Sequence, residues 1–314
     1  MKRAIAITTI IVMLAMAMSG CTGPGKKPDD GRFGIYASFY PMYFIAGEIA
    51  GEKAAVKVMV PAGAEPHDWE PTPKFAAELK AADIIVYNGT GMETWMEKIL
   101  PVIEGGDTRL VDASRGIELL ESEEHEEAEG QDEPEEHEHG LYDPHVWVSP
   151  MRLLQQAGNV YEAIVEADPQ NEEYYEANMK ELTTRLEKLD RDIRETSKSF
   201  RSNVIVVSHE AFGYFAEDYG LRQVAIRGIN PQDEPSLSKM AELAEICREN
   251  NVRYVFFEKL TGPELSEALA GEVGAGTLVL NDAAGISEED IKAGKDYITV
   301  MYENLDNLKK ALGD

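Results

Sequence analysis

Residues 171–200 read NEEYYEANMKELTTRLEKLDRDIRETSKSF, thirty positions without a glycine or a proline. Apolar side chains fall at Tyr175, Met179, Leu182, Leu186, Leu189 and Ile193. Their spacing alternates four and three, which lays one stripe along an α-helix. At 1.5 Å per residue such a helix is roughly 45 Å long, the width of a lobe or more. A coiled-coil dimer seam has the same stripe. What flanks the segment favours a different role.

On its N-terminal side, short β-branched or apolar runs at 34–39, 55–60, 83–87 and 108–111 alternate with helical patterns at 42–50, 73–82 and 92–100. On its C-terminal side, runs at 203–207, 223–226, 253–257 and 277–280 alternate with helical patterns at 211–219, 236–249 and 263–272. Strands that alternate with helices build parallel α/β sheets. The sequence therefore predicts an α/β fold of two lobes, 32–170 and 202–314, with 171–201 as the backbone helix between them. A helix does not flex as a loop does, so the relative motion of the lobes is expected to be small.

The chain begins outside this plan. Lys2 and Arg3 precede an uncharged, mostly apolar run that ends in small residues near Gly20, the pattern of a secretory signal over 1–20. Met18-Ser19-Gly20-Cys21 is similar to a bacterial lipobox, in which the cysteine is acylated and becomes the mature N-terminus. An ordinary cleaved signal and a retained membrane helix are the other readings; the lipid anchor is preferred, because it holds a protein to a membrane without spanning it. Residues 21–31 are rich in Gly, Pro and charge and read as a tether. The expected location is the outer face of the cell membrane.

The 314 residues carry 30 Lys and Arg against 58 Asp and Glu, a formal charge of −28. Such a surface repels nucleic acid and favours cations as small partners. Residues 121–139 hold eleven of the acids with His125, His137 and His139 and no Lys or Arg, and read as a disordered loop. Cys21 and Cys247 are too few for a disulfide framework or a four-cysteine metal site; Cys247 reads as a small buried side chain. No Gly-x-x-x-x-Gly-Lys-Ser/Thr phosphate loop is present.

Of the other three histidines, His67 follows an expected strand, His145 precedes an expected helix and His209 ends an expected strand. His67 sits in Glu65-Pro66-His67-Asp68-Trp69-Glu70-Pro71, His145 in Asp143-Pro144-His145-Val146-Trp147, and His209 in Ser208-His209-Glu210-Ala211-Phe212. Loops at the carboxyl ends of strands are where open α/β sheets place ligands, and prolines around His67 and His145 would preorganise them. A lone histidine is more often structural than a ligand. Three in such loops suggest a shared metal, although no His-Glu-x-x-His motif fixes their meeting.

These stretches, with Phe39-Tyr40-Pro41, Asn88-Gly89, Glu234-Pro235-Ser236 and Asn281-Asp282 before a C-terminal helix, occur in the order found in one family. The chain resembles the substrate-binding proteins of zinc/manganese-type ABC importers, particularly the zinc branch, over essentially everything after the tether. The resemblance implies a metal held between two lobes by His67 and His145 from the first and His209 and Asp282 from the second. It also implies an importer permease as partner, a monomer, and no enzymatic activity. Imidazole at position 209, where manganese-selective members usually carry Glu, favours Zn²⁺ over Mn²⁺. The fourth ligand is left between Asp282, Glu65 and water, and Asp68 or Glu210 could orient a neighbouring imidazole. Trp69 and Trp147 are expected to fill the loop bases or wall the cleft. A zinc hydrolase and a metal-binding surface adhesin are the competing functions, since three protein ligands plus water is also catalytic architecture.

Overall fold

The computed structural model describes residues 32–103, 106–122 and 142–313. The signal, Cys21, the tether and nearly all of the acidic segment lie outside the described residues. Where that segment leaves and rejoins the fold, Glu121 and Tyr142 form an isolated antiparallel bridge that brings its ends together.

Among the described residues, eight strands make two four-stranded parallel sheets. In the first, β1 (Phe33–Ala37), β2 (Ala54–Val58), β3 (Ile84–Tyr87) and β4 (Arg109–Asp112) are ordered β2-β1-β3-β4. In the second, β5 (Val204–Val207), β6 (Arg222–Ala225), β7 (Tyr254–Phe257) and β8 (Gly276–Val279) are ordered β6-β5-β7-β8. The two orders are the same, so the lobes repeat one topology. Strand chemistry follows position. All four residues of the central strand β5 are buried, a run of Val and Ile covered on both faces. The edge strands β2, β4 and β6 instead carry the exposed Lys57, Arg109 and Arg222, whose charge blunts edge-to-edge pairing.

The helices are α1 (Tyr40–Ala50), α2 (Pro73–Glu78), α3 (Met96–Ile103), α4 (Pro150–Ala167), α5 (Glu172–Ser197), α6 (Gly213–Tyr219), α7 (Leu237–Glu249), α8 (Glu264–Val273), α9 (Glu288–Lys292) and α10 (Tyr297–Leu312). The long helix expected between the lobes is α5, 26 residues and about 39 Å. Its stripe buries Tyr175, Leu182, Leu186, Leu189 and Ile193, with Met179 packed at the margin. It lies against α1 and α4 of the first lobe and α10 of the second. One apolar core therefore runs through both lobes, from Ile35 and Ile45 past Leu186 to Ile205, Phe212 and Leu305. The coiled-coil alternative fails here because the stripe is already covered within the chain.

Direct hydrogen bonds also cross between lobes. Trp147 Nε1 donates to the Asp282 carbonyl at 2.8 Å, and the Tyr297 hydroxyl donates to the Trp147 carbonyl at 2.8 Å. The Tyr214 hydroxyl donates to the Asp143 carbonyl at 2.7 Å. Arg152 on α4 pairs with Asp218 on α6 and lies over the Tyr214 ring. No described helix is long and apolar enough to cross a membrane.

Candidate metal centre

Five side chains come from the carboxyl ends of the strands and form two overlapping groups that share His209: His67 from the loop after β2, His145 from the connection after β4, His209 one residue beyond β5, Glu258 directly after β7 and Asp282 after β8. The two sheets thus turn their carboxyl ends toward each other, and the crevice of each contributes.

Each imidazole is aimed by its own loop. After β2 the ladder continues through Met59 and Val60, and Pro61, Pro66 and Pro71 then restrict the backbone. The His67 amide donates to Glu65 Oε1 at 3.3 Å, and Trp69 locks the loop base edge-on against Trp95 and Phe75. Asp143 Oδ1 accepts both the His145 amide at 2.9 Å and His145 Nδ1 at 2.8 Å. Its other oxygen packs so close to Gly213 that a Cβ there would sit 2.5 Å away. Glu258 Oε1 accepts His209 Nδ1 at 2.8 Å and the Ser208 hydroxyl at 2.5 Å. With Nδ1 engaged by a carboxylate, each of these two rings presents Nε2 to the centre.

The Nε2 atoms meet. His67 Nε2 lies 3.1 Å from His145 Nε2, which lies 3.3 Å from His209 Nε2. Two nitrogens bound to one tetrahedral zinc at roughly 2.0–2.1 Å are separated by about 3.3 Å, so two edges of the coordination polyhedron already have the right length. Ring centroids 5.1–6.0 Å apart leave space for an ion and none for an organic substrate. His145 and His209 are buried, at 0% and 1% exposure, and His67 is partly exposed. His67 is the ring nearest solvent.

Electrostatics divide the three rings. Burial and the neighbouring imidazoles push His67 and His145 well below the usual histidine range, which keeps them in the neutral, ligating form. Burial would lower His209 as well, but the Glu258 carboxylate, with Asp282 and Glu65, outweighs it and lifts His209 to about 9. Burial likewise raises Asp282, reinforced by Glu258, and raises Asp143 to about 7. Without a dication, the centre holds protons.

The expected residues divide into two overlapping groups. His67, His145 and His209 share one point, whereas Asp282 groups with His209 and Glu258 on the side of the second sheet. The Asp282 loop is firmly placed: Asn304 on α10 bonds both the amide and the carbonyl of Asn281, and Ala283 takes φ 58°. Asp282 Oδ1 accepts the Ala284 amide at 3.1 Å. Glu65 is spent in part on the His67 amide, and burial raises it. The Nδ1 nitrogens of His145 and His209 are held by Asp143, two residues before His145, and by Glu258, and not by Asp68 or Glu210, the acids expected to orient a neighbouring imidazole. Glu258 is the residue sequence reasoning missed. Its signal was available, an acid immediately after the strand Tyr254–Phe257. Trp147 is fully buried, edge-on against Phe39, and forms the floor beneath His145.

Comparison with known proteins gives the same picture. Residues 35–311 match the family described as zinc-uptake complex component A, periplasmic (ZnuA). The chain is 39% identical over 302 residues to the high-affinity zinc uptake system protein ZnuA of Bacillus subtilis (strain 168), covering 96% of this chain and 94% of that one. It is 36% identical to the zinc-binding lipoprotein AdcA of Streptococcus pneumoniae (strain ATCC BAA-255 / R6), over 95% of this chain but 59% of that longer protein. The crystal structure of the Zn(II)-bound ZnuA-like domain of Streptococcus pneumoniae AdcA superposes with a TM-score of 0.77 at 34% identity, covering 90% of this chain and all of that one. With a match that leaves out only the first 34 and last 3 residues, this chain belongs to the ZnuA family.

Proposed function

We propose that this chain is an extracytoplasmic zinc receptor that delivers Zn²⁺ to the permease of an ABC importer. The observation that carries the reading is the meeting of three imidazole Nε2 atoms from two sheets, at separations of 3.1 and 3.3 Å. Three imidazoles form a set that suits zinc better than manganese, which prefers carboxylate oxygen. Asp282 supplies the fourth position from the second lobe, on the His209 side. His67, His145, His209 and Asp282 are the proposed ligands. A monomer held to the membrane by an acylated Cys21 completes the proposal, with the permease as the receiving partner.

Zinc is cargo in this reading. It cross-links the lobes: His67 and His145 belong to the first, His209 and Asp282 to the second. Binding replaces protons on the second-lobe groups by a dication and stabilises the folded chain by an amount that grows with the logarithm of free zinc above the dissociation constant. The shared core along α5 confines any change on loading to loop ordering and a small tilt. A hydrolase would need a coordination position open to substrate, and the burial of His145, His209 and Asp282 opposes that.

The test is calorimetric titration of chelator-stripped protein with Zn²⁺. One tight site is expected, weakened at least about a hundredfold by His67→Ala, His145→Ala or His209→Ala, since each removes one of four ligands. Deletion of 121–139, mostly outside the described residues, is expected to remove weak additional sites only. Undiminished tight binding in all three single variants would overturn the proposal.

A further inference from the structure

Asn88-Gly89 is part of the sequence pattern that the ligand set does not use. It lies at the carboxyl end of β3, the strand of the first sheet that corresponds to β7 in the second. The two lobes repeat a polar device at this point. In the second lobe, Ser208 at the end of β5 donates to the buried Glu258, which holds His209. In the first, Ser38 at the end of β1 donates to the buried Glu93 at 2.6 Å. Phe39 stands where the second lobe has His209, so the Glu93 carboxylate has no imidazole to hold.

It holds a loop instead. Glu93 Oε1 accepts the Asn88 amide at 2.8 Å, and Oε2 accepts the Gly89 amide at 3.1 Å. Gly89 takes φ 85°, and a Cβ there would fall 2.3 Å from Asp112 Oδ1, so only glycine fits. The fully buried Asn88 side chain is thereby fixed. Its Oδ1 accepts Gln156 Nε2 at 2.8 Å, and its Nδ2 donates to the Pro144 carbonyl at 2.9 Å. Pro144 is the residue between Asp143 and His145. Its carbonyl also accepts the Val146 amide, but the Asn88 bond is the one that ties this turn to the sheet.

We propose that Asn88, held by Glu93, is a positioning residue for the metal centre that sets His145 Nε2 through the Pro144 carbonyl. The inference rests on the zinc-receptor reading above. Each lobe then uses the same Ser–Glu pair to aim one buried imidazole, directly for His209 and through Asn88 for His145.

The test is a double-mutant cycle on zinc affinity, with thermal stability of the metal-free chain measured alongside. Asn88→Ala is expected to weaken zinc binding about tenfold or more in the otherwise native chain, and less than about twofold in a His145→Ala background. Its effect on the metal-free melting temperature should be the same in both. Gln156→Leu, which releases the other end of Asn88, should follow the same pattern and serves if Asn88→Ala does not fold. Equal weakening with and without His145, or no weakening in a folded variant, would overturn the inference. A native chain that binds no zinc would overturn the receptor reading itself.

Discussion

At the scale of single residues, the centre is an arrangement of carboxylates that decides which nitrogen holds a proton. His67 and His145 are driven neutral by burial, while Glu258 and its neighbours outweigh burial at His209 and lift it to about 9. Below that value the metal-free ring carries a proton, and zinc must displace it to bind. Protons therefore compete with zinc from pH 9 downward, and affinity rises with pH over this range. Zinc affinity is expected to fall at least about tenfold between pH 8 and pH 7, the raised Asp282 carboxyl adding to the His209 proton, read by chelator competition corrected for the chelator's own protonation. A flat affinity between pH 6 and pH 8 would show that His209 is already free of its proton.

At the scale of elements, α5 connects the lobes by packing and by polar bonds to each, and Arg185 bonds to both. Arg185 reaches Glu48 on α1 and Asp296, the N-cap of α10, and its guanidinium lies 6.0 Å from the Phe44 ring centroid. Exposed pairs contribute little, but this one is two-armed and two-thirds shielded. Arg185→Ala is expected to cost roughly 1–2 kcal/mol in urea unfolding and to leave zinc affinity within about twofold, because the residue touches none of the ligands. A loss of affinity without a loss of stability would contradict this division.

The elements also mark where sequence was informative. All eight strands and the long helix follow from periodicity and β-branched runs, because burial on one stripe or two faces writes itself into residue type. The third helix was expected from Met92 and begins at Met96. The reason is tertiary: Glu93 draws the amides of Asn88 and Gly89 onto its carboxylate, and Thr90 takes φ 55°, which keeps 88–93 out of a helix. At the centre, the three histidines were legible as unusual residues in strand-end loops. That Glu258 is the carboxylate behind His209 was not, since it comes from a neighbouring strand 49 residues away, and adjacency along the chain does not show which strand ends meet.

At the scale of the whole molecule, two lobes of one topology face their strand ends together and share a core along α5. Trp147 and Tyr297 bond across the lobes beneath His145, so the proposed ligands are positioned before cargo arrives. A chain of charge −28 attracts the dication from a distance; the imidazoles decide whether it stays. The most direct test is X-ray absorption at the zinc edge of the loaded chain. We expect three imidazole nitrogens at roughly 2.0–2.1 Å with oxygen completing the shell; a spectrum with fewer than three imidazoles on the ion would contradict the account.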